Sequence, residues 1–222
     1  GGKGGGKGGR KGGDKGGKCR SAISKPGRRR SAFVDTGVQG KPMVLLLCDG
    51  GDDGPGSLPF HLRAFGVIVV VADIKRNGSL GDILCEKSIK PKFDGPVRGE
   101  FAGIVAAPEC GRRTVHRLTP GGAAQVTSRS TNVYALPDAS DRDLLRLLDD
   151  NACVEVSCAF AIVVAGVHRG FSIFETHADR GDVARPELYE DKWADHAPIG
   201  LLQCFLIMRA IVDVVTVFFH QA

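Results

Sequence analysis

The chain has 222 residues, 42% of them hydrophobic, which is enough for one ordinary domain and a tail. Its net charge of +5 hides an asymmetry: residues 1–30 hold eleven of the 30 Lys and Arg and one of the 25 acids, so that segment carries about +10 and the remainder about −5. Seven cysteines without CxxC spacing, and without a Cys/His cluster at zinc-ligand spacing, exclude a disulfide framework and a zinc finger; they predict an intracellular, reducing compartment and no metal.

"GGKGGGKGGRKGGDKGGK" (1–18) opens the chain. Glycine maximises chain entropy and offers no side chain to bury, so this segment is expected to be disordered. Two readings stay open: a flexible polycation that binds nucleic-acid phosphates by counterion release, or a solvated linker. "SKPGRRRSA" (24–32) extends the charge, with Arg28, Arg29 and Arg30 as candidate nucleic-acid contacts and a possible nuclear-import patch. The leader has no apolar core of a signal peptide. Residues 1–40 form the expected tail and residues 41–222 the expected domain.

From Met43 the pattern changes. "MVLLLC" (43–48), "VIVVVAD" (67–73), "FAGIVAA" (101–107), "FSIFET" (171–176) and "IVDVVTVFF" (211–219) are short apolar runs. Runs without alternation suit strands covered on both faces, as in a parallel sheet. "SLPFHLRAFG" (57–66) has an apolar helical face and a glycine stop. The segment 140–170 predicts the longest helix, with Ser140 or Asp141 as cap and Gly170 as stop; Cys153 and Cys158 fall within it as small core residues. The expected fold class is α/β: a Rossmann-like three-layer sandwich with a mostly parallel central sheet. Ile199 to Phe219 is the least polar stretch, but Arg209 and Asp213 interrupt it, so no membrane span is expected.

In such sheets ligands bind at the C-terminal strand ends. The first strand ends in Cys48, Asp49, Gly50 and Gly51, where glycine lets the backbone approach a ligand. The second ends in Asp73, placed to accept from ribose hydroxyls, and "GDIL" (81–84) adds Asp82. The bland alternative makes all of these turn residues with solvated carboxylates. The third strand runs into Pro108, Glu109 and Cys110, followed by Arg112 and Arg113, whose charge favours a thiolate. Glu175 ends the next strand. Cys110 is either a nucleophile or an inert buried thiol, and Glu175 either its partner or a cap. "RRTVHR" (112–117) is a basic patch with His116 and Arg117, read as a DNA-phosphate contact or a solvated loop. The polar loop 177–198 holds the single Trp, Trp193, as a lid, a stacking platform or a packing residue.

"LLLCDGGDDGPGSL", "VVVADI", "GDIL", "AAPECGRR" and "FETHADRGD" stand in an order that resembles the catalytic half of the DNA (cytosine-5) methyltransferase family, over about residues 43–182. The resemblance implies S-adenosylmethionine as cofactor, contacted by Asp49, Gly50, Gly51 and Asp73, with Asp82 near the adenine. It implies Cys110 as the thiolate that adds to C6 of a flipped-out cytosine and Glu175 as the hydrogen-bond partner of ring N3. The chemistry needs both, because C5 is a poor nucleophile until a thiolate adds beside it, and the base must leave the duplex to be reached. Arg112, Arg113 and Arg117 would then touch DNA.

The sequence also departs from the family. Glu109 replaces the second proline and opposes a thiolate beside it. Thr176 stands for the expected Asn, Asp49, Asp52 and Asp53 crowd the first turn, and no later-half motif or target-recognition segment follows. The leading expectation is a DNA cytosine-5 methyltransferase-like protein; the alternatives are a non-catalytic nucleic-acid-binding descendant of that fold, or one acting on another substrate.

Overall fold

A computed structural model describes residues 40–50, 53–109, 111–215 and 217. The expected basic tail, with Arg28, Arg29 and Arg30, lies outside the described residues, as do Gly51 and Cys110.

Four strands form one all-parallel sheet: β1 (Met43–Leu47), β2 (Ile68–Ala72), β3 (Gly103–Ala106) and β4 (Phe171–Phe174). Their order is β2-β1-β3-β4. The chain therefore leaves β1 toward one edge, then crosses back to place β3 on β1's other side. In open parallel sheets such a reversal is where a ligand crevice lies, beyond the C-terminal strand ends, here those of β1 and β3. β1 sits at the centre because Leu45, Leu46 and Leu47 are fully buried, each burial contributing roughly 1.5–3 kcal/mol. The unbroken apolar run is the signature of a strand covered on both faces.

Among the described residues five α-helices accompany the sheet: α1 (Leu58–Ala64), α2 (Ile74–Asn77), α3 (Glu86–Val97), α4 (Asp141–Ala161) and α5 (Gln203–Ile211). The register puts Leu45, Leu47, Ile104, Ala106 and Phe174 on one face. There they join Val154, Cys158 and Ala161 of α4 and Phe205 and Met208 of α5 in a single core cluster. The opposite face is closed over β1, where Val44 and Leu46 are buried, but open over β4, where Phe171 is 44% and Ile173 53% exposed. Gly103 accommodates Phe171: a Cβ there would meet the ring at 2.2 Å.

Local signals explain several boundaries. Ser57 caps α1 by accepting from the Phe60 amide at 3.3 Å. Ser140 caps α4: its hydroxyl accepts from the Asp143 amide at 3.2 Å and donates to the Asp143 carboxylate at 2.9 Å. Beyond Ala161 the helix widens into a π-helical stretch over Ile162–Val167. With that stretch it is long and apolar enough to cross a membrane, yet its inward side packs into the core.

Two expectations change. The segment expected as a closing strand at 211–219 is not one among the described residues: Ile211 ends α5, and residues 212–215 and 217 join no sheet. Its β-branched composition is not enough: Val214, Val215 and Val217 stay exposed, and a strand needs a neighbouring edge to pair with. Conversely, α3 is not foreseen from its sequence, because it contains Pro91 and Pro96. Each proline removes a helical donor, and packing of Ile89 and Phe93 on the core offsets the loss.

Candidate functional site

At the β1 end the chain turns sharply. Cys48 adopts a left-handed conformation (φ 54°), a backbone state that costs a non-glycine residue about 1–2 kcal/mol. Its amide donates to the Ala72 carbonyl at 3.1 Å, which ties the turn to the end of β2. Gly50 follows with φ 60°. The Gly50 amide donates to Asp73 Oδ2 at 2.8 Å, and the Lys75 amide donates to Asp73 Oδ1 at 2.6 Å. Asp73 therefore caps α2 and clamps the glycine turn with one carboxylate, 5% exposed.

The crowding of acids in this turn is neutralised by arginines. Asp49 Oδ2 pairs with Arg76 at 2.9 Å, and Asp53 Oδ1 receives Arg63 and Arg76, both at 2.6 Å. Asp49 Oδ1 is buried and has no hydrogen-bond partner among the described residues. Burial pushes the Asp49 carboxyl up, and Arg76 only partly opposes it. A Cβ on Gly50 would lie 3.8 Å from Lys75 Nζ and otherwise meet open space. Gly81 presses on this assembly, since a Cβ there would sit 2.0 Å from the Asp73 carbonyl oxygen. Asp82 accepts from the Leu84 amide at 2.9 Å and holds its own loop.

At the other side of the crevice, the Ala107 amide donates to the Leu47 carbonyl at 3.1 Å, and the Glu175 amide to the Ala106 carbonyl at 2.9 Å. The strand ends that carry Pro108 and Glu175 are thus direct neighbours, as the sequence predicted. Pro108 is buried; Glu109 is exposed and accepts from the Gly111 amide at 3.1 Å. Cys110, one residue on, is outside the described residues. The sequence does not single out His177. Desolvation of its ring and the nearby His116 lower its pKa, while Glu175 and Glu109 raise it. Those four groups gather where β3 and β4 end.

The three arginines expected on DNA have internal partners. Arg112 pairs with Asp150 of α4 at 2.6 Å, both side chains largely covered. Arg117 donates to the Ala124 carbonyl at 2.5 Å and reaches Asp143 at 3.5 Å. Arg113 is turned inward, 3% exposed, and donates to Val133 O at 2.8 Å, Ala197 O at 3.2 Å and Asn151 Oδ1 at 2.8 Å. Burial pushes its pKa down to about 10. In this arrangement Arg113 fastens the segment after β3 to α4 and reaches no phosphate. The physical reason is that this segment lacks a ladder of its own, so side chains must satisfy its carbonyls.

Loop 177–198 is likewise held by polar contacts. His196, 2% exposed, accepts the Arg180 amide at Nδ1 (3.2 Å) and donates from Nε2 to the Arg113 carbonyl (2.7 Å), which fixes a neutral tautomer. Asp195 accepts from Ser128, Ser130 and Gln125 side chains at 2.7, 2.8 and 2.8 Å. Burial opposes its ionisation, but these bonds and that from the Ser130 amide hold its pKa near about 2. Trp193 is half-buried in a short 3-10 turn with Lys192 Nζ 4.9 Å from its ring centroid. No family model, curated protein or solved structure matches this chain.

Proposed function

We propose that the domain is Rossmann-like and transfers a methyl group from S-adenosylmethionine to a cytosine of nucleic acid, DNA in the leading case. One observation carries the reading: the 2.8 Å bond from the Gly50 amide to Asp73, which unites a glycine turn and a strand-end acid at the reversal point of a parallel sheet. The residues present suit a nucleoside cofactor. Apart from Lys75 Nζ the space beside the Gly50 backbone is open to a ligand, and Asp49 Oδ1 is a buried acceptor with no donor among the described residues. Asp73 keeps lone pairs for a ribose hydroxyl beyond the two amides it accepts.

When bound, S-adenosylmethionine supplies an electrophilic methyl group. The chain's part is to orient and activate the base. In this reading Cys110 adds to ring C6, C5 would then take the methyl group, and loss of the C5 proton to a base would expel Cys110 as thiolate. Glu175, from the adjoining strand end, bonds N3 and stabilises charge developing on the ring. His177, which feels the charges of His116 and Glu175, is the group to relay a proton in this reading. The basic tail adds non-specific attraction to phosphates.

A non-catalytic, nucleic-acid-binding reading draws on two observations: Glu109 beside Cys110 opposes a thiolate, and Asp73 is 5% exposed with both oxygens engaged. Titration calorimetry with S-adenosylhomocysteine separates the two. Saturable binding, weakened at least about tenfold by Asp73→Asn, supports the first. If binding is seen, a duplex containing 5-fluorocytosine should form a covalent adduct that Cys110→Ser abolishes. No binding leaves the second reading.

A further inference from the structure

Loop 177–198 leaves the sheet just beyond the end of β4, and one buried ring ties it down. His196 Nε2 donates to the Arg113 carbonyl, in the segment after β3, at 2.7 Å. Its Nδ1 accepts from the Arg180 amide at 3.2 Å. Only the neutral tautomer with the proton on Nε2 makes both bonds, because the two ring nitrogens face one acceptor and one donor. A second proton can enter only at Nδ1, where it confronts the Arg180 N–H.

A carboxylate stands beside that nitrogen. Asp179 Oδ1 lies 4.0 Å from His196 Nδ1. It accepts from the Gly181 amide at 3.1 Å and pairs with Arg129. Arg129 in turn donates from Nε to the His196 carbonyl at 3.1 Å. The other charged groups of these segments are engaged elsewhere. Arg113 bonds the Ala197 and Val133 carbonyls and Asn151, Arg180 bonds Glu190 at 3.0 Å, and Asp195 accepts from Gln125, Ser128 and Ser130. The turn at 179–181 is tightly packed: a Cβ on Gly181 would lie 2.9 Å from the carbonyl oxygens of both Trp193 and Ala194. An imidazolium drawn to Asp179 therefore displaces the turn instead of sharing it with the Arg180 amide.

We propose that His196 is a proton-operated latch: protonation at Nδ1 ejects the Arg180 amide, passes the ring's bond to Asp179 and loosens loop 177–198 where it leaves β4. This inference does not depend on methyl transfer. The proton comes from solvent, no other covalent bond changes, and the Arg180 amide takes water as its new acceptor. Burial is the main influence that keeps the ring neutral; the Arg113 carbonyl and Asp179 favour the proton, while Arg129 and His177 oppose it. The ring therefore takes its proton below the ordinary 6.5, and the latch is closed at neutral pH.

The test follows the isotope-labelled full chain by nuclear magnetic resonance from about pH 7.5 to about pH 5, reading the ring nitrogens of His196 and hydrogen exchange at the Arg180 amide, corrected for the intrinsic pH dependence of exchange. His196 should begin with its proton on Nε2 and gain a second on Nδ1. Protection of the Arg180 amide should fall at least about tenfold in step, while the amides of β1 keep theirs. His196→Gln, which cannot titrate, should abolish that fall, and Asp179→Asn, which removes the carboxylate that receives the imidazolium, should move the transition to lower pH. A ring that stays neutral until the chain unfolds, Arg180 protection unchanged after protonation, equal loss of protection in β1, or the same fall in His196→Gln would each overturn the proposal. Should either variant fail to fold, the ring spectra and the contrast between Arg180 and β1 in the unaltered chain decide the matter.

Discussion

Asp73→Asn tests the clamp at the β1 turn. The carboxylate accepts two backbone amides, from Gly50 at 2.8 Å and Lys75 at 2.6 Å, with little solvent to replace them. Asparagine is nearly isosteric, so no cavity opens. Its single carbonyl oxygen can still cap α2, but its NH2 must then face the Gly50 amide, donor against donor. The loss is one hydrogen bond to a charged acceptor plus one N–H left without a partner, together about 2 kcal/mol. For a folded part of this size that corresponds to a fall in Tm of roughly 4–8 °C. Urea unfolding followed by circular dichroism measures it, and hydrogen exchange at Gly50 locates it. A change below about 0.5 kcal/mol, with Gly50 exchange unaltered, would refute the clamp and with it the geometry on which cofactor binding is argued.

Gly81→Ala places a methyl group 2.0 Å from the Asp73 carbonyl oxygen, a backbone atom that cannot swing aside; a loss of about 1–3 kcal/mol in urea unfolding is expected. Arg113→Ala should cost about 3 kcal/mol, because Val133 O, Ala197 O and Asn151 lose their donor inside the protein. It should leave the salt dependence of DNA binding unchanged in filter-binding assays, and a flatter slope would return Arg113 to the phosphate-binding set. His196 is buried neutral with its pKa lowered from 6.5, burial being the main cause. The unfolded chain therefore takes up its proton first, and stability falls as pH drops through 6.5. His177, lowered in the same way, adds to that slope. Urea midpoints at pH 7.5 and about 5.5 should converge in His196→Gln, His177→Gln; equal pH sensitivity with both rings removed would reject the assignment.

Four of the five expected strands were legible because strands of a parallel sheet leave short apolar runs: MVLLLC, VIVVVAD, FAGIVAA and FSIFET match within one or two residues of the observed limits, although β4 keeps Phe171 and Ile173 exposed. The cap of α4, expected at Ser140 or Asp141, was legible because the signal is local: the Ser140 hydroxyl satisfies an amide three residues away. Helix α3 was not, since its prolines argue against a helix and only contacts with distant residues outweigh them. The segment after Ile211 misled in the opposite sense, as strand-forming side chains say nothing about whether a sheet edge is within reach. Asp73 could be picked out as a strand-end acid, but that it would grip Gly50 depends on β1 and β2 lying side by side.

Local chemistry written in consecutive residues, such as buried runs, caps and turn glycines, was determined by the sequence alone. Partnership across the chain was decided by tertiary structure: Arg113 with Ala197, Asp195 with Ser128, Arg112 with Asp150. An arginine reads the same in sequence whether it faces a phosphate or a carbonyl, because the side chain's donors are identical in both settings. What differs is the solvent around it, and burial of Arg113 to 3% exposure is a property of the packed fold.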